Sequence, residues 1–101
     1  MVNKISEKEF NEKINVEKKV IVDCYADWCG PCRMLAPIID EVASTLTDYD
    51  FYKLNVDDAM EVSKQYGIMS IPTILIFENN ELKDKIVGLR TKDELIEILS
   101  K

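Results

Sequence analysis

The chain has 101 residues, 47 % of them apolar, with 13 Lys and Arg against 19 Asp and Glu for a net charge of −6. That length suits one domain over residues 1–101 with a core that needs no covalent staples, and the acidic balance argues against a nucleic-acid partner, because little would neutralise phosphates. No apolar run approaches the roughly 18 residues of a membrane span, residues 1–10 lack the apolar stretch of a signal peptide, and histidine is absent, which excludes His catalysis and His-containing metal sites; a cytoplasmic location is expected.

Ser6 followed by Glu9 reads as a capping box that opens a short helix with Phe10 and Ile14 on one face. Residues 1–5 carry only a weak pattern for a short edge strand. The apolar run Val20-Ile21-Val22 inside Lys19 to Ala26 predicts a strand covered on both faces. Beyond Cys32, Leu35, Ile38, Ile39, Val42 and Leu46 recur at helical spacing, and Pro37 should bend the helix they define. A second strand is expected from Phe51 to Val56, and Asp58 with Glu61 should open a short helix that stops at Gly67. Thr73 to Phe77 and Leu82 to Val87 read as strands joined at Asn79-Asn80, since Asn tolerates positive φ. Thr91 with Glu94 caps a last helix whose apolar face is Leu95, Ile98 and Leu99. This order predicts an α/β fold: a central mixed β-sheet with helices on both faces, a right-handed parallel crossover first and an antiparallel hairpin last.

Three cysteines are too few, and odd in number, for a disulfide scaffold. Two of them form Cys29-Gly30-Pro31-Cys32. Disulfide exchange needs one thiolate that attacks and a second thiol near enough to resolve the mixed disulfide. A cysteine at a helix start faces unpaired N–H groups that favour its thiolate, which makes Cys29 the expected nucleophile and Cys32, one turn in, the resolving thiol. Pro31 fits the first turn because its missing N–H would have had no partner there, and it stiffens the loop. The competing reading is half of a zinc or iron–sulfur site. Those usually take four ligands, only Cys24 remains, and a second chain would have to supply the rest; no metal is expected. Strand alternation puts Cys24 on the face opposite Asp23 and Tyr25, as a small apolar side chain. Asp23 interrupts an otherwise apolar strand. It is either a solvent-facing strand end or a buried acid that accepts the Cys32 proton, directly or through water. Trp28, the lone Trp, is expected to cover the site and interact with Asp27 or its neighbours.

Trp28-Cys29-Gly30-Pro31-Cys32 resembles the active-site signature of the thioredoxin family. The similarity runs on through Val22-Asp23, Tyr25-Ala26-Asp27, Ala36-Pro37, the segment Lys53 to Asp57, Tyr66-Gly67-Ile68, Ile71-Pro72-Thr73 and Val87-Gly88, which together span nearly the whole chain. The resemblance implies a thioredoxin fold and a protein-disulfide reductase that works by dithiol–disulfide exchange. It implies no cofactor beyond the redox-active Cys29–Cys32 disulfide. Expected partners are disulfide-containing proteins and a thioredoxin reductase, with the chain acting as a monomer. It further implies that Asp23 is the buried acid, that Lys53 lies near it and favours its carboxylate form, and that the Ile71–Pro72 bond is cis. Substrate would dock on a shallow rim made of Trp28, Gly30, Pro31, Ile71, Pro72 and Gly88. The chain departs from the family pattern at Cys24, commonly aromatic, at Tyr25, often Trp, and at Ser70 and Asn80, where glycine is usual.

Two other functions compete with a reductase. An oxidase or isomerase on the same fold would need an oxidising compartment and usually another dipeptide between the cysteines. A binding subunit using its cysteines only for structure would not need Cys29, Cys32, Asp23 and Pro72 together.

Overall fold

The structure is a computed structural model and describes residues 2–101. Five strands form one mixed sheet in the order β1-β3-β2-β4-β5. The strands are β1 (Val2–Ile5), β2 (Lys19–Tyr25), β3 (Tyr49–Asn55), β4 (Thr73–Glu78) and β5 (Glu81–Val87); the helices are α1 (Glu7–Ile14), α2 (Gly30–Thr45), α3 (Met60–Gln65) and α4 (Lys92–Leu99). β3 runs parallel to both β1 and β2, and β4 runs antiparallel to β2 and β5. The weak pattern at the N-terminus does form an edge strand, paired from Val2 opposite Phe51 to Ile5 opposite Leu54. Met1, included in that expected strand, lies outside the described residues.

Alternation along β2 divides the core. Val20, Val22 and Cys24 point to one face and pack with Phe10 and Ile14 of α1 and Val62 of α3. Ile21 points to the other face and packs with Leu35, Ile39 and Val42 of α2 and Leu95 and Leu99 of α4. Burial on both sides is why β2 and β4 read as continuous apolar runs. Edge strand β5 is exposed at every position but Ile86 and carries a register shift opposite Ile76 and Phe77, features that discourage pairing with another sheet.

The local signals are met where the expected groups are close in sequence. Both capping boxes form, Ser6 with Glu9 and Thr91 with Glu94. Asn79 and Asn80 both take positive φ in the hairpin turn, and Gly67 does so at the exit of α3. α2 continues as one element through Pro37. Strand ends differ by one or two residues from expectation: β2 stops at Tyr25, β3 starts at Tyr49 and stops at Asn55, and β5 starts at Glu81.

The expected cap of α3 is a correction. Asp58 does not open this helix. The Asn55 side chain accepts the Asp57 N–H at 2.9 Å and leads Val56–Asp58 into a 3₁₀ turn, so α3 begins at Met60 with Ala59 at its N-cap and no local side-chain cap. Glu7 supplies the missing acceptor from α1, its carboxylate taking the Val62 N–H at 2.9 Å. A cap fifty-five residues away in sequence leaves no spacing signature.

Candidate active site

The C-terminal end of β2 delivers the chain to the site. After Tyr25 the backbone turns through Ala26 to Trp28, the Cys29 N–H donates to the Ala26 carbonyl at 3.2 Å, and Cys29 becomes the N-cap of α2. The Cys32 N–H, one of the helix's first donors, points at Cys29 Sγ at 3.2 Å. That places the Cys29 sulfur where free N–H groups and the helix dipole stabilise negative charge. Cys29 and Cys32 form a disulfide, with Cα atoms 5.2 Å apart. Both cysteines are about equally buried, at 4 % and 3 % exposed. Burial therefore does not distinguish their roles, whereas position on the helix does. They pack against Ala26, with Tyr25, Val56 and Ile71 around them.

Asp23 shares a cavity wall with Cys32 and is only 4 % exposed. Its Oδ1 has no protein hydrogen-bond partner. Burial is the main influence on its acidity and pushes the carboxyl up to about 7; Lys53 opposes that shift and Asp40 on α2 adds to it. Lys53 is the register partner of Asp23 across the β2–β3 ladder, so sheet pairing brings the ammonium to the same face as the carboxylate. A cavity of about 160 Å³ joins these groups, lined by Asp23, Lys53 and Cys32 together with Tyr25, Asp27 and Arg33. Cys29 is not part of its wall. A larger cleft of about 360 Å³, between Lys4–Glu9 and Leu54–Asp58, contains no thiol.

The remaining expected residues lie next to Cys29 in the chain, on the loop before β4 and at the end of β5. The Ile71–Pro72 bond is cis. The Ile71 carbonyl oxygen lies 3.8 Å from Cys29 Sγ, and the Pro72 carbonyl accepts the Gly88 N–H at 2.8 Å, which ties the loop before β4 to the end of β5. Gly88 has φ +95, a conformation that side chains rarely adopt. A Cβ on Gly30 would meet nothing within 4 Å, so space beside the disulfide is open. Pro31 is exposed in the first turn of α2. Trp28 is 69 % exposed, and its indole N–H donates to Asp57 Oδ2 at 2.9 Å. The expected partner Asp27 is thus corrected. The carbonyl of Asp27 is taken by Arg33 at 2.8 Å, while the turn after β3 brings the Asp57 carboxylate to the indole. Sequence reasoning missed Asp57 because its role depends on β3 lying beside β2.

Cys24 lies on the opposite face in the apolar core, as strand alternation required. Burial and the neighbouring Asp23 push its thiol up to about 12, which keeps it a neutral apolar group. Among the described residues no group of three or more Cys, Asp or Glu is gathered to hold a metal ion, and no helix is long and apolar enough to cross a membrane.

A family model described as Thioredoxin matches residues 1–101. Curated relatives agree with it. A thioredoxin of Mycoplasmoides gallisepticum is 46 % identical over 91 residues, covering 90 % of this chain and 91 % of the relative. One of Rickettsia prowazekii is 44 % identical across 100 % of this chain and 98 % of its own length. One of Staphylococcus epidermidis is 41 % identical across 97 % and 94 %. A disulfide at a helix N-terminus on this sheet, in a chain that the family model matches throughout and these relatives match over nine-tenths or more, makes the chain a member of the thioredoxin family of disulfide oxidoreductases.

Proposed function

We propose that the chain is a protein-disulfide reductase in which Cys29 is the nucleophile, Cys32 the resolving thiol and Asp23 the proton acceptor for Cys32. The observation that carries this division of labour is the cavity shared by Asp23, Lys53 and Cys32 but not by Cys29. In the reduced protein the Cys29 thiolate, stabilised by the α2 N-terminus, attacks one sulfur of a target disulfide. A mixed disulfide forms and the first target thiolate leaves. Cys32 then passes its proton towards Asp23, a carboxyl poised near neutrality, and attacks Cys29 Sγ. The second target thiolate departs, and the Cys29–Cys32 disulfide remains. Lys53 biases Asp23 towards the carboxylate that can take the proton.

Trp28, Gly30, Pro31, Ile71, Pro72 and Gly88 form the docking rim. The open space at Gly30 and the proximity of Ile71 to Cys29 support this reading, since an extended target segment can pair with loop backbone there as an added strand. The oxidised pair returns to the dithiol through a thioredoxin reductase. We place the protein in the cytoplasm, where thiols are held reduced, as a monomeric single domain.

The test uses a disulfide-bonded protein such as insulin with dithiothreitol as reductant, with and without the chain. Catalytic acceleration that a thioredoxin reductase and its electron donor can also drive supports the proposal. Absence of acceleration in both arrangements overturns it.

A further inference from the structure

Methionine is ordinarily an interior residue. Here Met60 is 67 % exposed and Met69 95 % exposed, and both lie on segments that are tied to the active site. Met60 follows the turn whose Asp57 holds Trp28, and Met69 is two residues before Ile71, whose carbonyl oxygen approaches Cys29 Sγ. Trp28 and Leu89 are likewise exposed apolar side chains on such segments, Trp28 preceding Cys29 and Leu89 following Gly88, whose N–H is held by the Pro72 carbonyl.

The charge around these side chains is lopsided. Asp27 precedes Trp28, Asp57 is bonded to it, and Asp58 and Glu61 bracket Met60; all four acids are exposed. Two nearby cations are engaged with backbone, while Lys53 faces Asp23 across the β2–β3 ladder. Arg33 donates to the Asp27 carbonyl at 2.8 Å and Arg90 to the Leu89 carbonyl at 3.1 Å. Lys64 lies in the last turn of α3, and neither it nor the arginines pair with Asp58 or Glu61, which take part in none of the ion pairs among the described residues.

We propose that the docking face selects disulfides whose flanking segment carries an apolar side chain together with a lysine or arginine, the apolar group lying against Trp28 and Met60 and the cation against Asp58 and Glu61. This deepens the reductase reading above and rests on it. Apolar contact supplies adaptable affinity, whereas charge complementarity supplies discrimination and encounter rate.

The experiment compares two synthetic disulfide peptides, identical except that Lys-Lys or Glu-Glu follows the apolar residue beside the attacked cysteine. The kcat/KM of the parent is expected to favour the lysine peptide about fivefold at low ionic strength and less than about twofold near 0.5 M salt. Asp58→Asn with Glu61→Gln should bring the ratio close to one. Glu12→Gln with Glu97→Gln removes the same charge from exposed positions on α1 and α4 and should keep the preference, which separates a local field from net charge. Equal rates for both peptides, or a preference that survives in the Asp58/Glu61 variant or disappears equally in the Glu12/Glu97 variant, would overturn the inference while leaving the reductase reading intact. Failure to reduce either peptide would overturn the reductase reading itself.

Discussion

Replacement of Cys32 by serine is expected to stop turnover yet leave the first chemical step intact, so that a covalent adduct between Cys29 and the target protein accumulates. The physical basis is the asymmetry of the two sulfurs. Cys29 is the N-cap of α2 and receives the Cys32 backbone N–H at 3.2 Å, an interaction that serine at position 32 retains. The attacking thiolate therefore keeps its stabilisation, while the thiol that would expel the target is gone. Cys29→Ser removes the nucleophile, and neither turnover nor adduct should be seen. Loss of steady-state rate should exceed about a thousandfold in both variants, because each removes an obligatory bond-forming atom. Non-reducing electrophoresis with mass spectrometry separates them. An adduct through Cys32 in the Cys29→Ser protein, with none in Cys32→Ser, would reverse the assigned roles.

Asp23→Asn should stabilise the fold and slow the reaction at once, a combination that an ordinary core substitution does not give. The carboxyl is raised to about 7 from its ordinary value of 3.8, chiefly by burial. Below pH about 4 the acid is protonated in both folded and unfolded chains and has no pH-linked effect on stability. As pH rises from about 4 to 7 the unfolded chain ionises first, so the fold loses stability through this group; above 7 the folded carboxylate carries the whole cost. Removal of that charge should raise stability by about 2–4 kcal/mol at pH 8, with the gain vanishing near pH 4. Urea unfolding at both pH values measures it. Catalysis should move the other way. With no proton acceptor beside Cys32, reduction of a protein disulfide should slow by about a hundredfold at pH 7–8, and the inflection near neutrality in the pH–rate profile should disappear. A gain in stability without loss of rate would leave Asp23 as a buried liability with no part in the reaction.

The features legible in the sequence are those whose determinants sit close together. Ser6 and Glu9, Thr91 and Glu94, and Asn79-Asn80 each carry their own turn or cap chemistry within four residues, and the helices and hairpin they delimit are found where expected. The apolar run of β2 announced a strand covered on both faces, and an aspartate within it was conspicuous for that reason. The cysteine pair was readable because its spacing is its chemistry. Features that depend on tertiary neighbours stayed hidden. Glu7 caps a helix more than fifty residues away, Asp57 replaces Asp27 as the partner of Trp28, and nothing in the sequence around Met60 and Met69 signals that they are exposed. Resemblance to thioredoxins named Lys53, Ile71 and Gly88 in advance. Their physical placement comes from the β2–β3 register, the approach of Ile71 to Cys29, and the hydrogen bond between Gly88 and Pro72.

The central claim is that Cys29 and Cys32 are a reducing dithiol, and an equilibrium redox titration followed by Trp28 fluorescence tests it most directly. Trp28 is the only tryptophan and is adjacent to Cys29, so its emission reports the state of the pair, with Cys29→Ser as the silent control. The account predicts a single two-electron transition below roughly −220 mV, at or beneath the cytosolic glutathione poise. A transition near about −120 to −180 mV, where oxidases and isomerases lie, or no transition in the parent protein, would contradict it.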